Sequence, residues 1–209
     1  MENKRLDTRS LTGMALLTAV VVILQLLGAF VRFGPFSISL VLIPIVVGAA
    51  LYGVWAGAWL GFVFGMVVLF QPDTGVFLTI SPLGTILVVL LKGALAGLCA
   101  GLVYKALSQR SKQAEAPSKD GKKPGVDPAV IAAAIVCPIV NTGIFLLGCL
   151  VFFLPTISEW AAASGFKNVG TYMILGLVGG NFLFELLFNI VLSPVIVRLI
   201  RIGRHDWSR

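Results

Sequence analysis

Charged residues are scarce in this chain of 209 residues, where Asp, Glu, Lys and Arg together make up 12%. Soluble domains carry roughly 25% charged residues, so this chain has too little charge to cover a water-facing surface. Histidine is almost absent, since the one copy, His205, lies close to the C-terminus. The sequence contains no HExxH, GxSxG or Walker-type GxxxxGK[ST] motif. These absences argue against an enzyme, and nothing in the sequence calls for a cofactor.

Cysteine is also sparse, with three copies at Cys99, Cys137 and Cys149. All three lie in apolar runs, and no CxxC spacing occurs. We therefore expect neither a disulfide framework nor a metal site. A serine protease embedded in the membrane would need a histidine to activate its serine, and no apolar run contains one.

Long apolar runs dominate the chain, in which 58% of the residues are hydrophobic. They form two blocks, 11–103 and 129–202, on either side of one long polar segment, Tyr104–Pro128. Most of the 16 lysines and arginines lie before the first block, in the polar segment or at the C-terminal end, and the net charge is +7. This distribution is typical of the cytoplasmic segments of membrane proteins, and it argues against nucleic acid as a partner.

The apolar blocks predict an all-α membrane protein with six transmembrane helices in a single integral membrane domain, 1–209. A helix needs about 20 residues to cross a hydrocarbon core of roughly 30 Å. As one helix, Phe36–Phe70 would rise about 52 Å, so we divide this block near Gly53. The predicted spans are 11–31, 36–52, 54–71, 82–104, 129–153 and 171–200, with a basic loop at 105–128.

Four predicted spans precede the basic loop and two follow it, so both termini and the loop lie on the same face. Their positive charge predicts that this face is cytoplasmic. The polar segments Gln71–Ser81 and Leu154–Gly170 are then predicted to be loops on the outer face. A kink is expected at Ser193-Pro194, near the inner end of the last span.

Spans four to six contain charged and amide residues, which are costly to place inside a bilayer. Lys92 lies in span four, Asn141 in span five, and Asn181, Glu185 and Asn189 in span six. The last three recur every four residues and so share one face of a helix. One interpretation is a buried pocket for a polar solute, in which Lys92 binds an anionic group. The other is a structural Lys92–Glu185 ion pair, with the asparagines joining helices.

Two residues of the predicted outer loops, Asp73 and Trp160, are further candidates for substrate contacts, because loop residues can close a pocket that opens outward. The alternative is that each is merely solvated. In span one, Ala15 and Ala19 form a small-xxx-small pattern, preceded by Gly13. Small residues let another helix approach closely, so this face is a candidate for partner docking. Ordinary span composition is the alternative.

The chain resembles the substrate-binding (S) subunits of energy-coupling factor (ECF) transporters, which import vitamins into bacteria, and in particular the riboflavin/pantothenate-type branch. The resemblance is carried by RSLTGMALLTAVVVIL, LVLIPIVVGAALYGVWAGAWLGFVFG, SPLGTILVVLLKGALAGLCAGLVY, NTGIFLLG and GNFLFELLFNIVLSP. It extends over about 5–203, and it includes the six apolar runs, the basic inner loop and the AxxxA pattern of the first run. The basic loop is longer than this role requires.

The resemblance implies a protein of the bacterial cytoplasmic membrane that captures a vitamin or related micronutrient from outside, with a pantothenate-like acid as the first expectation. Its implied partners are a coupling transmembrane subunit, two ATPase subunits and the lipid bilayer. ATP hydrolysis would belong to those partners, so the chain itself would not be an enzyme. Ala15 and Ala19 match the docking motif of the family, and the polar residues of spans four to six fall in its binding half.

The alternative function is a stand-alone secondary carrier or channel for a small polar solute. Carriers built from inverted repeats show two matching halves, whereas the basic loop of this chain divides the predicted spans into four and two. A membrane scaffold or enzyme is a third class, for which the sequence offers no catalytic constellation.

Overall fold

The computed structural model of this protein describes residues 8–28, 30, 32–33, 36–37, 40–114 and 127–206. The N-terminal tail, most of the basic loop and the last three residues lie outside these ranges, so the structure does not bear on what the sequence predicts for them. The described residues are helical apart from short connections and one small hairpin, in which β1 (Arg32–Phe33) pairs antiparallel with β2 (Phe36–Ser37).

In chain order, the helices of the described residues are α1 (Thr8–Gly28), α2 (Leu42–Tyr52), α3 (Val54–Leu69), α4 (Pro72–Ile80), α5 (Pro82–Ala114), α6 (Pro128–Phe152), α7 (Leu154–Ala163), α8 (Val169–Thr171) and α9 (Gly179–Asp206). A π-helical segment, Tyr172–Val178, joins α8 to α9 without a break.

Four helices in the described part of the chain are long and apolar enough to cross a membrane: Thr8–Gly28, Pro82–Arg110, Pro128–Phe152 and Val169–Ile200. Helices α3 and α4 meet at an angle of 80°. Together they are a fifth candidate, if they form one broken span. Helix α2 has 11 residues and rises only about 16 Å, well short of a core of roughly 30 Å. The all-helical membrane architecture is confirmed, and the count of six spans stays a prediction.

Several predicted boundaries differ from the observed ones. The second helix begins at Leu42 and not at Phe36, which lies in β2. Helix α5 continues ten residues past the predicted end of span four at 104, because Lys105–Ala114 is a polar continuation of the same helix. A polar helix can extend beyond the membrane, where water satisfies its surface, so hydropathy marks the end of the span and not the end of the helix.

The two predicted outer loops are wrong as loops, because each contains a helix. Helix α4 occupies most of Gln71–Ser81, and α7 occupies the first part of Leu154–Gly170. Each helix has a proline in its first turn, where the missing N–H costs nothing and the fixed φ suits helix initiation. Because proline is equally typical of loops, Pro72 and Pro155 do not reveal these helix starts in the sequence.

The predicted break within Phe36–Phe70 is confirmed at Gly53. Its φ of 96° lies in the left-handed region, which glycine adopts without strain. The break separates α2 from α3, and α2 is buried along most of its length. A short helix that is apolar on all sides belongs in the interior of a protein, which is where α2 lies.

Glycines bring α3 and α5 into direct backbone contact. A Cβ atom on Gly57 would lie 2.5 Å from the carbonyl oxygen of Gly97, and one on Gly61 would collide with the carbonyl of Gly93. These glycines recur every four residues on each helix, the spacing that lets membrane helices pack closely. The pattern is visible in the sequence, and it identifies the most extensive helix pair among the described elements.

The interior contains two separate hydrophobic clusters. The larger, which we call the main core, is built mostly from α2, α3, α5, the first half of α6 and the C-terminal half of α9, and its members include Ile45, Leu60 and Ile196. The smaller, which we call the aromatic core, consists of Phe77, Cys149, Phe153, Ile157, Met173, Leu177 and Val178. Helices α4 and α7, which the sequence predicts to be loops, contribute Phe77 and Ile157 to the aromatic core.

Helix α9 continues through the predicted kink site at Ser193-Pro194. Proline has no N–H to bond to the carbonyl four residues earlier, which is that of Ile190. The hydroxyl of Ser193 donates to this carbonyl oxygen at 2.7 Å. The serine thus supplies the donor that the proline lacks, and the helix does not end.

Candidate functional site

A cavity lies between the two cores, since its walls include residues of both. Its volume is about 90 Å³, below the roughly 300–1,000 Å³ of typical small-molecule pockets. The lining residues come from α1, α3 to α6, the π segment and α9. Two more lie in connections, Gln71 between α3 and α4 and Phe153 between α6 and α7. They are Gln25, Val68, Gln71, Asp73, Thr74, Phe77, Thr85, Val88, Val89, Lys92, Asn141, Thr142, Phe145, Phe153, Val178, Asn181, Phe182 and Glu185.

Five of the six substrate-binding residues predicted from the sequence line this cavity. Lys92 comes from α5, Asn141 from α6, Asn181 and Glu185 from α9, and Asp73 from the first turn of α4. They are far apart in sequence, and the packing of α5, α6 and α9 brings them together. That they line one cavity fits the pocket interpretation, and whether they bind a ligand stays a prediction.

Lys92 occupies a place between aromatic rings. Its Nζ atom lies 5.3 Å from the centroid of the Phe145 ring and 5.7 Å from that of Phe64. Both distances are within the roughly 6 Å at which a cation is attracted to a ring face. Glu185 and Asp73 are close enough for their carboxylates to attract the ammonium group. The lysine is thus held by two rings and by the field of two acids, which leaves its ammonium beside the cavity as a point for an anionic group.

The predicted polar face of the last helix is confirmed, since Asn181, Glu185 and Asn189 are all buried at intervals of four residues. The first two line the cavity. Asn189 does not, and its Nδ2 atom donates to the backbone carbonyl oxygen of Glu185 at 2.8 Å. This asparagine bonds within its own helix, so the structure does not support the predicted role of joining helices for it.

Two glutamines of the cavity were not selected from the sequence. Gln25 of α1 donates through Nε2 to Oε1 of Gln71, and Gln71 donates through Nε2 to the backbone carbonyl oxygen of Gln25, both at 3.1 Å. Gln71 precedes Pro72 at the bend between α3 and α4. Gln25 was detectable as an amide inside the first apolar run, because such residues are costly in a span wherever they occur.

Three amide oxygens in the cavity walls are buried and have no hydrogen-bond partner in the described protein. They are Oε1 of Gln25 and the Oδ1 atoms of Asn141 and Asn181, which belong to α1, α6 and α9. Buried polar atoms are normally hydrogen-bonded. An occupant of the cavity with O–H or N–H donors would complement these three acceptors.

Aromatic rings form one wall of the cavity. Phe77 makes edge-to-face contacts with Phe145 and Phe153, at centroid distances of 5.8 and 5.0 Å. Trp160 of α7, the sixth residue predicted to bind substrate, is not among the lining residues. Its ring contacts Phe77 edge-on at 5.8 Å, so it lies behind the wall and supports a lining residue.

The candidate docking residues Ala15 and Ala19 both lie on an exposed face of α1. The neighbouring Leu16 and Ile23 are also exposed, at 66% and 55%. The opposite face packs into the protein through Val21 and Gln25, both fully or almost fully buried. Helix α1 thus presents an apolar surface with two small residues that no other described element covers.

The described residues include no group of three His, Cys, Asp or Glu side chains that could hold a metal ion. The three cysteines are free, and Cys137 and Cys149 are buried. Cys149 belongs to the aromatic core and Cys137 to the main core, so both pack as small apolar side chains.

Comparison with known proteins gives one match. The family model described as "ECF transporter, substrate-specific component" matches residues 9–197, a range that includes the cavity residues and the exposed face of α1. No curated protein and no solved structure matches this chain.

Proposed function

Because the chain belongs to the family of substrate-specific components of ECF transporters, we propose that it captures a vitamin or related micronutrient from outside the cell. It then docks on a coupling membrane subunit that two ATPase subunits drive. The observation that carries this proposal is the cavity, in which Lys92, Asn141, Asn181 and Glu185 are brought together from three membrane-spanning helices. Buried polar groups are costly in a membrane, and ligand binding accounts for their presence here.

The proposed topology has six crossings and places both termini on the cytoplasmic side of a bacterial cell membrane. The four long candidate spans and α3 supply five of these crossings, and the short buried helix α2 forms part of the sixth. The positively charged segments before α1, between α5 and α6 and at the end of α9 support a cytoplasmic position for all three. Helices α4 and α7 then lie toward the outside, beside the aromatic wall of the cavity, and the ligand enters from that side.

The proposed ligand carries an acidic group that binds to Lys92. A pantothenate-like acid has such a group. The support is the position of Nζ beside the cavity and between two ring faces. The carboxylates of Glu185 and Asp73 orient the ammonium group by attraction, and the acid of the ligand completes its surroundings. ATP hydrolysis belongs to the partner subunits, and the chain itself is a binding subunit without catalytic activity.

The proposed docking surface is the exposed face of α1 with Ala15 and Ala19. Helices in lipid associate by close packing and not by the hydrophobic effect, so small residues let a partner helix approach. The exposure of this face supports the proposal, because a partner can reach it without any change in the chain.

Uptake assays test the proposal. Cells expressing the chain together with a coupling subunit and its two ATPases should accumulate radiolabelled pantothenate, and cells expressing the chain alone should bind it without accumulating it. A matched ATPase variant that cannot hydrolyse ATP is the control for energy coupling. Concentrative uptake by the chain alone would identify it as a stand-alone carrier and would overturn the proposal.

A further inference from the structure

The hydrogen bonds around Gln25 determine the orientation of its side chain. Gln71 donates through Nε2 to the backbone carbonyl oxygen of Gln25, 3.1 Å away. A backbone carbonyl can only accept, so Gln71 must direct its amine at that atom. Its Oε1 atom is then the group that accepts from Nε2 of Gln25, also at 3.1 Å. The Oε1 atom of Gln25 takes part in neither of these two hydrogen bonds.

This remaining oxygen is buried, and no group of the described protein donates to it. Gln25 is 1% exposed and lines the cavity. Since a buried carbonyl oxygen without a donor is unfavourable, the site favours an occupant that supplies one. We infer that the ligand donates an O–H or N–H hydrogen bond to Oε1 of Gln25, which makes α1 a wall of the binding site. The inference rests on the proposed function, because it concerns the ligand of the same cavity.

The chemical class of the ligand follows from the other unmatched acceptors. Oδ1 of Asn141 and Oδ1 of Asn181 are also buried without a donor, and both residues line the cavity. Acceptors from three helices are complementary to a ligand with several hydroxyl or amide N–H groups. Together with Lys92, these acceptors favour an acid that also carries O–H or N–H donors. They disfavour an acid that has no such donor when it is ionised.

The experiment uses the full chain in detergent and a defined mixture of pantothenate, riboflavin, biotin, thiamine, pyridoxine and nicotinate. Mass spectrometry identifies the compound that the unaltered protein retains, and a titration with that compound gives Kd. Gln25→Met keeps the length of the side chain and removes its acceptor, together with the N–H donor that reaches Gln71. We expect Kd to rise roughly 2- to 13-fold, the range for loss of one neutral hydrogen bond.

Two further variants separate a ligand contact from a structural role. Asn189→Leu removes a buried amide that also has an unmatched oxygen but does not line the cavity, and it should leave Kd within about twofold of the original value. Gln25→Glu, kept neutral by burial, offers an O–H to Gln71 and retains a carbonyl oxygen for the ligand. It should restore most of the affinity that Gln25→Met loses.

Each result decides the matter. An unchanged Kd in Gln25→Met, with the fold verified by its melting temperature without ligand, would mean that this oxygen contacts water or nothing, and would overturn the inference alone. So would retention of nicotinate, which carries no O–H or N–H donor when ionised. If the unaltered protein retains none of the compounds, the proposed vitamin-binding function fails, and the inference fails with it. A Gln25→Met protein that does not fold is replaced by Gln25→Glu, for which a loss of affinity above tenfold would contradict the inference.

Discussion

Two regions of this protein pack in opposite ways, the α3–α5 interface and the aromatic core. At the interface, Gly57 and Gly61 lie against the backbone of Gly97 and Gly93, so no side chain separates the two backbones at these contacts. In the aromatic core, bulky rings meet edge-on around Phe77. Backbone contacts leave nothing that can move aside, so we expect this interface to be rigid. Rings can rotate about their side-chain bonds, so we expect the aromatic core to be more adaptable.

The difference explains where the cavity lies. It is bounded by Val68 and Val89, which belong to the main core, and by Phe77, Phe153 and Val178, which belong to the aromatic core. One side of the site is therefore supported by a rigid helix pair and the other by an adaptable wall. Lys92 of α5 lies beside aromatic rings, with its Nζ atom 5.3 Å from the centroid of the Phe145 ring.

The largest expected effect comes from breaking the rigid region. Gly61→Leu places a side chain where even a Cβ atom would collide with the carbonyl of Gly93. Forcing α3 and α5 apart should cost about 3 kcal/mol, the upper end of the usual cost of overpacking, enough to abolish a monodisperse peak in size-exclusion chromatography. The control is Gly143→Ala on α6, where an added Cβ meets nothing within 4 Å. A well-folded Gly61→Leu protein would show that the interface is not rigid.

A second prediction separates small residues that pack inside the protein from those that serve a partner. Ala19 is exposed on α1, so Ala19→Leu should leave the melting temperature and ligand binding of the isolated chain unchanged. Uptake and co-purification with the coupling subunit should be lost, because the larger side chain prevents close approach. Ala162→Leu, an exposed alanine of α7, is the matched control and should retain both. Loss of ligand binding with assembly intact would assign the face to the cavity or the fold.

Much of the architecture could be predicted because a membrane makes hydropathy informative. The long helices and the break at Gly53 follow from apolar length and from one flexible residue. The cavity residues Lys92, Asn141 and Glu185 were found because a charge or amide inside a span is costly and stands out. No knowledge of the packing was needed to select them.

The remaining features depend on three-dimensional neighbours. Helices α4 and α7 were missed because a short segment that begins with a proline has the composition of a loop. Trp160 was assigned to the site from its loop position, and only packing shows that Phe77 lies between it and the cavity. Gln25 carried a usable signal, but its importance depends on Gln71, which is 46 residues away in the sequence.

The third prediction concerns Lys92, which lies where the two regions meet. If it binds an acid of the ligand, Lys92→Gln should lower the affinity for pantothenate, or for the acid that the protein retains, by roughly 10- to 150-fold. This is the range for loss of a charge-assisted hydrogen bond of about 1.5–3 kcal/mol. Titration calorimetry measures the change, and the melting temperature without ligand should fall little.

The competing role of Lys92 is a structural pair with Glu185. In that case Lys92→Gln leaves a buried carboxylate without its partner and should destabilise the protein by about 3–5 kcal/mol. Glu185→Gln in the same chain should then restore the melting temperature. A double variant that binds with the original affinity would remove Lys92 from the binding site.

The smallest expected effect comes from Trp160, which supports the aromatic wall of the cavity from the side away from the cavity. Trp160 contacts Phe77 edge-on at 5.8 Å and does not line the cavity. Trp160→Leu removes an aromatic pair worth about 0.5–1.5 kcal/mol beyond the area buried, so the melting temperature should fall slightly. Affinity should fall by no more than about threefold, because Phe77 lines the cavity and the tryptophan does not. Trp160→Phe, which keeps a ring against Phe77, serves as the control and should behave like the original protein. A loss of affinity above tenfold in Trp160→Leu, with Trp160→Phe equally weak, would place the indole in direct contact with the ligand, as its position in the sequence first predicts.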